Sequence, residues 1–255
     1  MSITSPRAAL IAYTPDPVRV CALAARTCYS ALPLDELLAK VEKDQSDFLR
    51  GVIRSGHHSV LEHASFTFYV SDVSRALLAQ ITRHRIASFS VQSQRYVSLD
   101  KGFDYVVPPR IAALGPEAEE KYRQQMDQMA DWYRDWQDAF DGDPGANEDA
   151  RFVLPNACAT RLTMTMNARE LLHFFSLRCC SRAQWEIRAL AEQMYRLVLP
   201  IAPAIFEHAG PGCVRGTCPE GNRTCGRVQQ VREHYAELVR QAVSAAETQQ
   251  NTVKE

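Results

Sequence analysis

Apolar residues recur every three or four positions along much of the chain, a spacing that predicts amphipathic helices. Gly56 should end the second of these helices, and Ser181 should cap the fifth. Asn167 should cap the fourth, with Glu170 placed for a capping box. The predicted helices cover residues 17–30, 33–54, 116–140, 168–178, 182–200 and 228–246.

Shorter stretches alternate between apolar and polar residues, as half-buried strands do. We expect strands over residues 64–71, 89–96, 105–107 and 162–166, with Leu162, Met164 and Met166 facing the core. The predicted fold class is α+β, a single domain with a small, mostly antiparallel sheet flanked by long helices. We divide it into a core at 1–209, a Cys/Gly/Pro-rich loop at 210–226, and a C-terminal helix with a frayed tail at 227–255.

Length and composition narrow the class of protein. A chain of 255 residues is near the upper end for one hydrophobic core, and 46% hydrophobic with 23% charged residues is ordinary for a soluble protein. The net charge of −1 argues against a nucleic-acid-binding module, which usually has a basic excess. Neither a signal peptide nor an apolar run long enough for a bilayer is visible, so we expect a cytoplasmic protein without a membrane partner.

The most informative segment follows a short apolar run at 76–81. It reads Arg83-His84-Arg85 and ends in Ser93-Gln94-Arg95. If Ser71 or Asp72 caps a helix here, the side chains at 80, 83 and 84 share one face of its last turn, and those at 91, 93 and 95 share one face of the next strand. Two arginines and a hydroxyl would then converge on one anion, because arginine forks match phosphate oxygens. The alternative is a solvated helix end.

A second polar cluster contains His57, His58, Glu62 and His63. It invites a zinc interpretation, but three residues separate His58 from Glu62, and the inverted zinc-protease motif requires two. A metal hydrolase therefore stays a weak alternative.

The loop at 210–226 holds Cys213, Cys218 and Cys225. These thiols could bind zinc with Cys179, Cys180 or His208 as the fourth ligand, although their separations are unlike those of common zinc knuckles. Reduced structural thiols, or a redox-labile pair, are the alternatives in a cytosolic protein. Our prediction is that the protein carries no metal.

Arg-His-Arg followed by seven residues and a serine resembles the R-H-R-x7-S signature of the flavin-dependent thymidylate synthases. Four further blocks resemble the same family: the H-x4-E-H segment at 57–63, A-R-F-V-L-P at 150–155, N-A-R at 167–169, and R-x-x-S-x-A-Q-W-E-I at 178–187. Together the resemblance covers about residues 17–208.

This resemblance implies an enzyme that reductively methylates dUMP to dTMP for de novo dTTP synthesis. Methylenetetrahydrofolate would donate the carbon, and NADPH would reduce FAD, which would supply the hydride. The family uses no protein nucleophile, and Arg178 stands at its substrate-activating position. Ser93 as a nucleophile is the rival interpretation. Members of the family are homotetramers whose sites are shared between subunits.

The resemblance also assigns site residues by position. His57 would line the site. Val91 stands where an acid is common, His173 where some members have Asn, and Arg182 where some have His, so the detailed flavin contacts differ. The implied dUMP contacts are Gln80, Arg83, Ser93, Gln94, Arg95, Arg151 and Arg178. The implied FAD contacts are Ser59, Arg83, His84, Arg85, Val91, Asn167, Ala168 (through its backbone), Arg169 and His173.

Overall fold

The fold is α+β, as predicted. A computed structural model describes residues 1–141, 143 and 145–252, with side chains described as far as residue 244. Four strands form one antiparallel sheet in the order β1-β2-β4-β3. The strands are β1 (Arg7–Tyr13), β2 (Ser65–Ser74), β3 (Ala87–Val91) and β4 (Ala159–Asn167).

Helices make up most of the remaining structure. Within the described residues none of them is both long and apolar enough to cross a membrane. They are α1 (Pro17–Thr27), α2 (Leu34–Lys40), α3 (Ser46–Arg54), α4 (Arg75–Ile81), α5 (Pro109–Ala112), α6 (Pro116–Ala139), α7 (Ala146–Ala150), α8 (Ala168–Arg178), α9 (Trp185–Val198), α10 (Pro203–Phe206) and α11 (Val228–Thr252).

The described residues form two compact units. Unit 1 comprises Met1–Arg7, Tyr69–Arg83 and Phe89–Met164, and unit 2 comprises Ala8–Phe68, His84–Ser88 and the chain from Thr165 on. Four of the five unit boundaries fall inside strands of the sheet, and the fifth, between Arg83 and His84, lies between α4 and β3. The predicted division at 209/210 and 226/227 stays a prediction.

Each unit has its own buried cluster. In unit 1, Met126 and Ala130 of α6 pack with Phe103, Tyr105 and Cys158. Helix α6 therefore contributes Met126 and Ala130 to the core, whereas its Trp132 and Trp136 are exposed.

In unit 2 the core is aromatic. Phe175 of α8 contacts Tyr195 of α9 and Phe206 of α10, with ring centroids 5.6 and 6.1 Å apart. Phe66 of β2 meets the same Phe206 ring edge-on at 5.4 Å. Such edge-to-face pairs add to the free energy of burial. They fix α8, which carries much of the site, against α9 and α10.

The alternation in β4 is confirmed, because Leu162, Met164 and Met166 are all buried. The predicted strand at 64–71 is also present as part of the longer β2. Helix α1 begins at Pro17 and α6 at Pro116, as predicted; proline suits the first turn because its missing N–H has no partner there.

The single helix predicted over 33–54 was wrong. The helix is interrupted between α2 and α3, and the buried side chain of Gln45 lies in the turn that joins them. Its amide nitrogen donates to the carbonyls of Lys40 and Lys43 at 3.2 and 2.7 Å, and its amide oxygen accepts from Arg26. These bonds stabilise the turn in place of a continuous helix. Gly56 ends α3 with a φ of 84°, as expected of a C-terminal glycine.

The cap predicted at Ser71 or Asp72 was also wrong. Strand β2 continues to Ser74, whose hydroxyl accepts a hydrogen bond from the Leu77 amide and caps α4. Helix α4 then ends at Ile81, so Arg83 and His84 lie beyond it. The shared helical face predicted for residues 80, 83 and 84 therefore does not form.

Two strand predictions need correction, and one strand was missed. The strand expected over 89–96 is β3, which ends at Val91, so Ser93 and Arg95 lie outside it. Tyr105 makes only isolated bridges, to Ile3 and Cys158. Strand β1 was not predicted. Its residues do not alternate between buried and exposed, and the strand forms by pairing with β2, a contact that the local sequence pattern does not reveal.

Near the C-terminus, Gln184 rather than Ser181 caps α9, by accepting from the amides of Glu186 and Ile187. Helix α11 runs six residues past the predicted end, to Thr252, so most of the predicted frayed tail is helical. The rest of that tail, residues 253–255, lies outside the described residues.

Candidate active site

Helix α8 begins with a side-chain N-cap. The Asn167 side chain accepts the Glu170 amide hydrogen bond at 2.8 Å, which confirms the predicted N-cap. The Ala168 amide donates to the Ala64 carbonyl at 2.7 Å, so this amide is already engaged. Glu170 does not complete a capping box; its carboxylate turns to a histidine instead. The cap orients α8 and frees the Glu170 carboxylate for a different partner.

That partner is His84 of the Arg-His-Arg segment. Its Nδ1 atom lies 2.8 Å from Oε1 of Glu170, and Nε of Arg178 donates to its Nε2 atom at 3.1 Å. His84 and Glu170 are buried, and Arg178 is half-buried. Both ring nitrogens of His84 are engaged. Any contact of His84 with a cofactor would therefore have to come from its ring carbons or backbone.

The environment of His84 keeps its ring neutral near pH 7. Burial lowers the pKa of His84 below its ordinary value, the positive charge of Arg178 acts in the same direction, and the hydrogen bond to Glu170 opposes both. The edge of its ring also meets the Phe174 ring at a centroid distance of 5.0 Å.

A cavity of about 500 Å³ opens beside this group in unit 2. Its lining includes the side chains of Asn167, Arg169, Glu170, His173 and Arg215. Arg169 is exposed and pairs with Glu62 at 2.5 Å, and the His173 ring lies 5.9 Å from the His84 ring. Cationic, acidic and polar side chains therefore line a space large enough for part of a nucleotide.

A second group of arginines lies in unit 1. Arg95 forms an ion pair with Glu148 at 2.7 Å, with both side chains nearly half exposed. Arg151 donates from Nε to the backbone carbonyl of the same Glu148 at 3.0 Å. Asn147 donates to the Arg95 carbonyl at 3.2 Å. Helix α7 thus holds two of the predicted phosphate-binding arginines together.

The other predicted contacts divide between the two units. Ser93 Oγ accepts from the Arg95 amide at 3.2 Å, a turn contact rather than activation by a base, and Gln94 donates weakly to Cys158 Sγ at 3.7 Å. The predicted dUMP contacts in unit 1 are Gln80, Arg83, Ser93, Gln94, Arg95 and Arg151, and Val91 of the predicted FAD set lies there too. Unit 2 holds Arg178 together with His57, Ser59, His84, Arg85, Asn167, Ala168, Arg169 and His173.

The histidines at 57–63 make separate contacts. His58 Nε2 lies 3.2 Å from the Ile53 carbonyl, and His57 packs edge-on against Tyr29. Among the described residues, the group whose ligand atoms lie within 4.8 Å of one another is His84, Glu170 and His173. The Arg178 guanidinium and the Glu170 carboxylate each bond to one ring nitrogen of His84, so neither ring nitrogen is left for a cation.

In the loop at 210–226, Cys213 is buried, and Cys218 and Cys225 are partly buried. Arg232 of α11 holds this loop by donating to the carbonyls of Cys213 and Gly216 at 2.9 and 2.8 Å.

Three residues were missed by sequence reasoning. Glu170 was noticed only as part of a cap, and Arg215 lies in the cysteine-rich loop without a motif. Arg75, the first residue of α4, is half-buried; burial lowers its pKa, and the charge of Arg151 adds to that effect. The sequence did offer a signal for Arg75, because this arginine directly follows the serine that caps α4. It offered no such signal for Glu170 or Arg215.

In this α+β fold, the clustered arginines of these sites have the chemistry that suits anionic, nucleotide-like ligands. The family model described as "Thymidylate synthase complementing protein" matches residues 9–204. A flavin-dependent thymidylate synthase of Geobacter sulfurreducens is 53% identical over 232 residues, which are 90% of this chain and 98% of that protein. The enzyme of the same name from Nitratidesulfovibrio vulgaris is 48% identical over 239 residues, covering 89% and 97%. The chain belongs to the flavin-dependent thymidylate synthase family, as the motifs predicted.

A solved structure shares the fold. It is that of a UMP/dUMP methylase, PolB from Streptomyces cacaoi, bound with 5-Br dUMP. It matches with a TM-score of 0.64 at 24% identity, over 81% of this chain and 96% of PolB.

Proposed function

We propose that this protein is a flavin-dependent thymidylate synthase that converts dUMP to dTMP. Methylenetetrahydrofolate supplies the new carbon, and NADPH is the reductant. The observation that carries the proposal is the match to enzymes of that name over nearly their whole length. The arginines of this protein support the proposal, because guanidinium groups suit both the phosphate and the ionisable uracil ring of the substrate.

Arg95 and Arg151 bind the dUMP phosphate in this proposal, with Arg83 as a third cation. Gln80, Ser93 and Gln94 supply hydrogen bonds. Guanidinium forks bind phosphate oxygens two at a time, which favours arginine over lysine at these positions. Arg95 is paired with Glu148, and the phosphate must compete with this carboxylate. Because the pair is exposed, replacing the Glu148 carboxylate by the phosphate costs little free energy.

Arg178 acts on the uracil ring. C5 must become nucleophilic to take up the carbon, and negative charge then accumulates on the N3 and carbonyl edge of the ring. The Arg178 guanidinium stabilises that charge, and the stabilisation is greatest as the charge develops. C5 gains the carbon as the bond between that carbon and the folate nitrogen breaks, tetrahydrofolate leaves, and C5 loses its proton to complete the exchange.

The residues of unit 2 fit a bound FAD. Arg169 and Arg215 offer positive charge to a diphosphate, and Asn167 and His173 offer polar groups to a ring edge. FAD supplies the hydride that completes the methyl group. The proposed FAD contacts are Ser59, Arg83, His84, Arg85, Val91, Asn167, Ala168, Arg169 and His173, with His57 lining the site.

The buried thiols are poor nucleophiles, which agrees with chemistry that needs no cysteine. Burial raises the pKa of Cys21 and of Cys179 to about 12, and that of Cys158 to about 11. These thiols are therefore protonated near pH 7. Ring activation then depends on electrostatic stabilisation by Arg178.

We also propose that the protein is a cytoplasmic homotetramer with sites shared between subunits and that it serves dTTP synthesis. Membership of the family supports the tetramer, and the dispersion of the proposed ligand-binding arginines from Arg83 to Arg178 is consistent with shared sites.

One experiment tests the activity. Protein purified under reducing conditions should be yellow, with a flavin spectrum that shifts on addition of dUMP. With methylenetetrahydrofolate and NADPH it should form dTMP and release tritium from C5-labelled dUMP. Colourless protein that neither takes up FAD nor releases tritium would overturn the proposal.

The same protein preparation distinguishes the proposed enzyme from the two alternatives, a nucleic-acid-binding module and a metal hydrolase. A nucleic-acid-binding module would bind an oligonucleotide with an affinity that falls steeply with salt. A metal hydrolase would contain stoichiometric metal and lose activity on chelation.

A further inference from the structure

Glu170, His84 and Arg178 form a chain of hydrogen bonds in unit 2. Glu170 and Arg178 lie eight residues apart on α8, about 12 Å along a helix axis. The His84 ring bridges them, with contacts of 2.8 Å to the carboxylate and 3.1 Å to the guanidinium. Because the carboxylate and the ring are both buried, solvent cannot easily replace either partner.

The chain has a defined direction. Arginine is always a donor, so Nε of Arg178 can bond to His84 only if Nε2 of the ring is unprotonated. In a neutral ring the proton then lies on Nδ1, which donates to the Glu170 carboxylate. Only the Nδ1–H tautomer satisfies both contacts.

The carboxylate and the guanidinium together select this tautomer. Without the carboxylate, the buried Nδ1–H would lack an acceptor, so the ring would be free to turn over or to exchange its proton to Nε2. An N–H at Nε2 would face the N–H of Arg178, and two donors cannot bond. The guanidinium would then lose one of the contacts that hold it.

Orientation matters for Arg178 because a long arginine side chain loses rotamer entropy when it is fixed in one conformation. The Asn167 cap and the Phe174 ring fix the helix and the imidazole from the other sides. The guanidinium is thereby held before a substrate arrives, which lowers the free-energy cost of orienting it in the transition state.

We propose that Glu170 and His84 are positioning residues that orient the Arg178 guanidinium for the uracil ring, through an Nδ1–H tautomer of His84. The action of Arg178 on that ring rests on the proposed function. Neither residue needs to touch the reacting atoms.

The tautomer can be measured without turnover. Cofactor-free protein labelled with ¹⁵N-histidine should show a protonated-type shift for His84 Nδ1 and an unprotonated-type shift for Nε2. Spectra of the His84→Gln protein would assign these signals. A proton on Nε2 in the unsubstituted protein would overturn the proposal, and this measurement needs no variant of Glu170.

Kinetics of two Glu170 variants test the effect on Arg178. Glu170→Ala should lower kcat by about a hundredfold, with little change in KM for dUMP or in bound FAD, because only the transition-state contact is misplaced. Glu170→Gln keeps an oxygen acceptor for Nδ1–H and should stay within about tenfold of the unsubstituted enzyme.

Glu192→Gln is the matched control. Glu192 forms a partly exposed pair with His234 at 3.1 Å, outside the site, so its loss should leave kcat unchanged. Normal kcat in folded Glu170→Ala protein, or an equal loss in Glu192→Gln protein, would contradict the positioning role. If the unsubstituted protein makes no dTMP, the proposed function fails, but the tautomer measurement still decides the hydrogen-bond chain.

Discussion

Arginine is the side chain on which the proposed chemistry depends at the scale of single residues. Its planar guanidinium can bond to His84 through Nε and still present its two terminal nitrogens elsewhere. A lysine ammonium is a compact charge with a single nitrogen. Arg178 therefore combines two functions that lysine would have to divide.

Arg178→Lys should keep the bound flavin but lower kcat by about 10²- to 10³-fold, the loss typical of a removed transition-state donor. Flavin absorbance of the purified variant and tritium release from C5-labelled dUMP would measure the two effects. Near-normal turnover in the lysine variant would refute the catalytic role of Arg178.

Glu148→Gln should tighten dUMP binding. It removes the carboxylate that pairs with Arg95, and an exposed ion pair is worth at most about 1 kcal/mol, so KM for dUMP should fall by up to about fivefold. The backbone carbonyl that holds Arg151 is unchanged by this substitution. Initial rates against dUMP concentration measure the change. A raised KM would mean that the carboxylate helps to bind dUMP.

At the scale of elements, short polar contacts decide where helices begin. Asn167 and Ser74 cap α8 and α4, and each accepts a hydrogen bond from an amide three residues on. Asp16 does the same for α1, at 3.2 Å to the Arg19 amide, and it does so with a φ of 45°. That left-handed conformation suits aspartate, asparagine and glycine better than other residues.

Asp16→Ala should lower the free energy of unfolding by about 2 kcal/mol, half from the lost cap and half from a left-handed alanine. Asp16→Asn retains both properties and should stay within about 0.5 kcal/mol of the unsubstituted protein. Thermal melting followed by circular dichroism compares the variants. Equal melting temperatures for the two would show that α1 does not depend on its cap.

At the scale of the whole molecule, the proposed contacts are divided between two units. Arg95 and Arg151 lie in unit 1, and Arg178 lies in unit 2 with most of the proposed FAD contacts. A homotetramer in which each site takes residues from several subunits would use both units of more than one chain. The assembly is testable with inactive variants.

Chains carrying Arg95→Ala or Arg178→Lys should each be nearly inactive alone. Mixed tetramers of the two, purified through two different tags, should regain part of the activity, because some sites then receive both native arginines from different subunits. Native mass spectrometry would establish the composition of the assemblies. Mixed tetramers as inactive as their parents would place both arginines of a site on one chain.

Some structural predictions succeeded because their cause is local. The period of β4 buries alternate residues, and the prolines at the starts of α1 and α6 suit a first turn wherever they occur. The break at Gln45 could not be predicted from 33–54 alone, because Arg26, outside that segment, bonds its side chain.

The sequence by itself determined the family, the α+β class, the longest helices and the residue types needed for an anion site, since these follow from motif order and local periodicity. Tertiary structure alone decided that Glu170 reaches His84, 86 positions away, and that Arg178 reaches the same ring from 94 positions away. It also decided that Arg95 pairs with Glu148, 53 positions away. Such partnerships depend on how the chain folds back on itself, and no local pattern of residues carries that information.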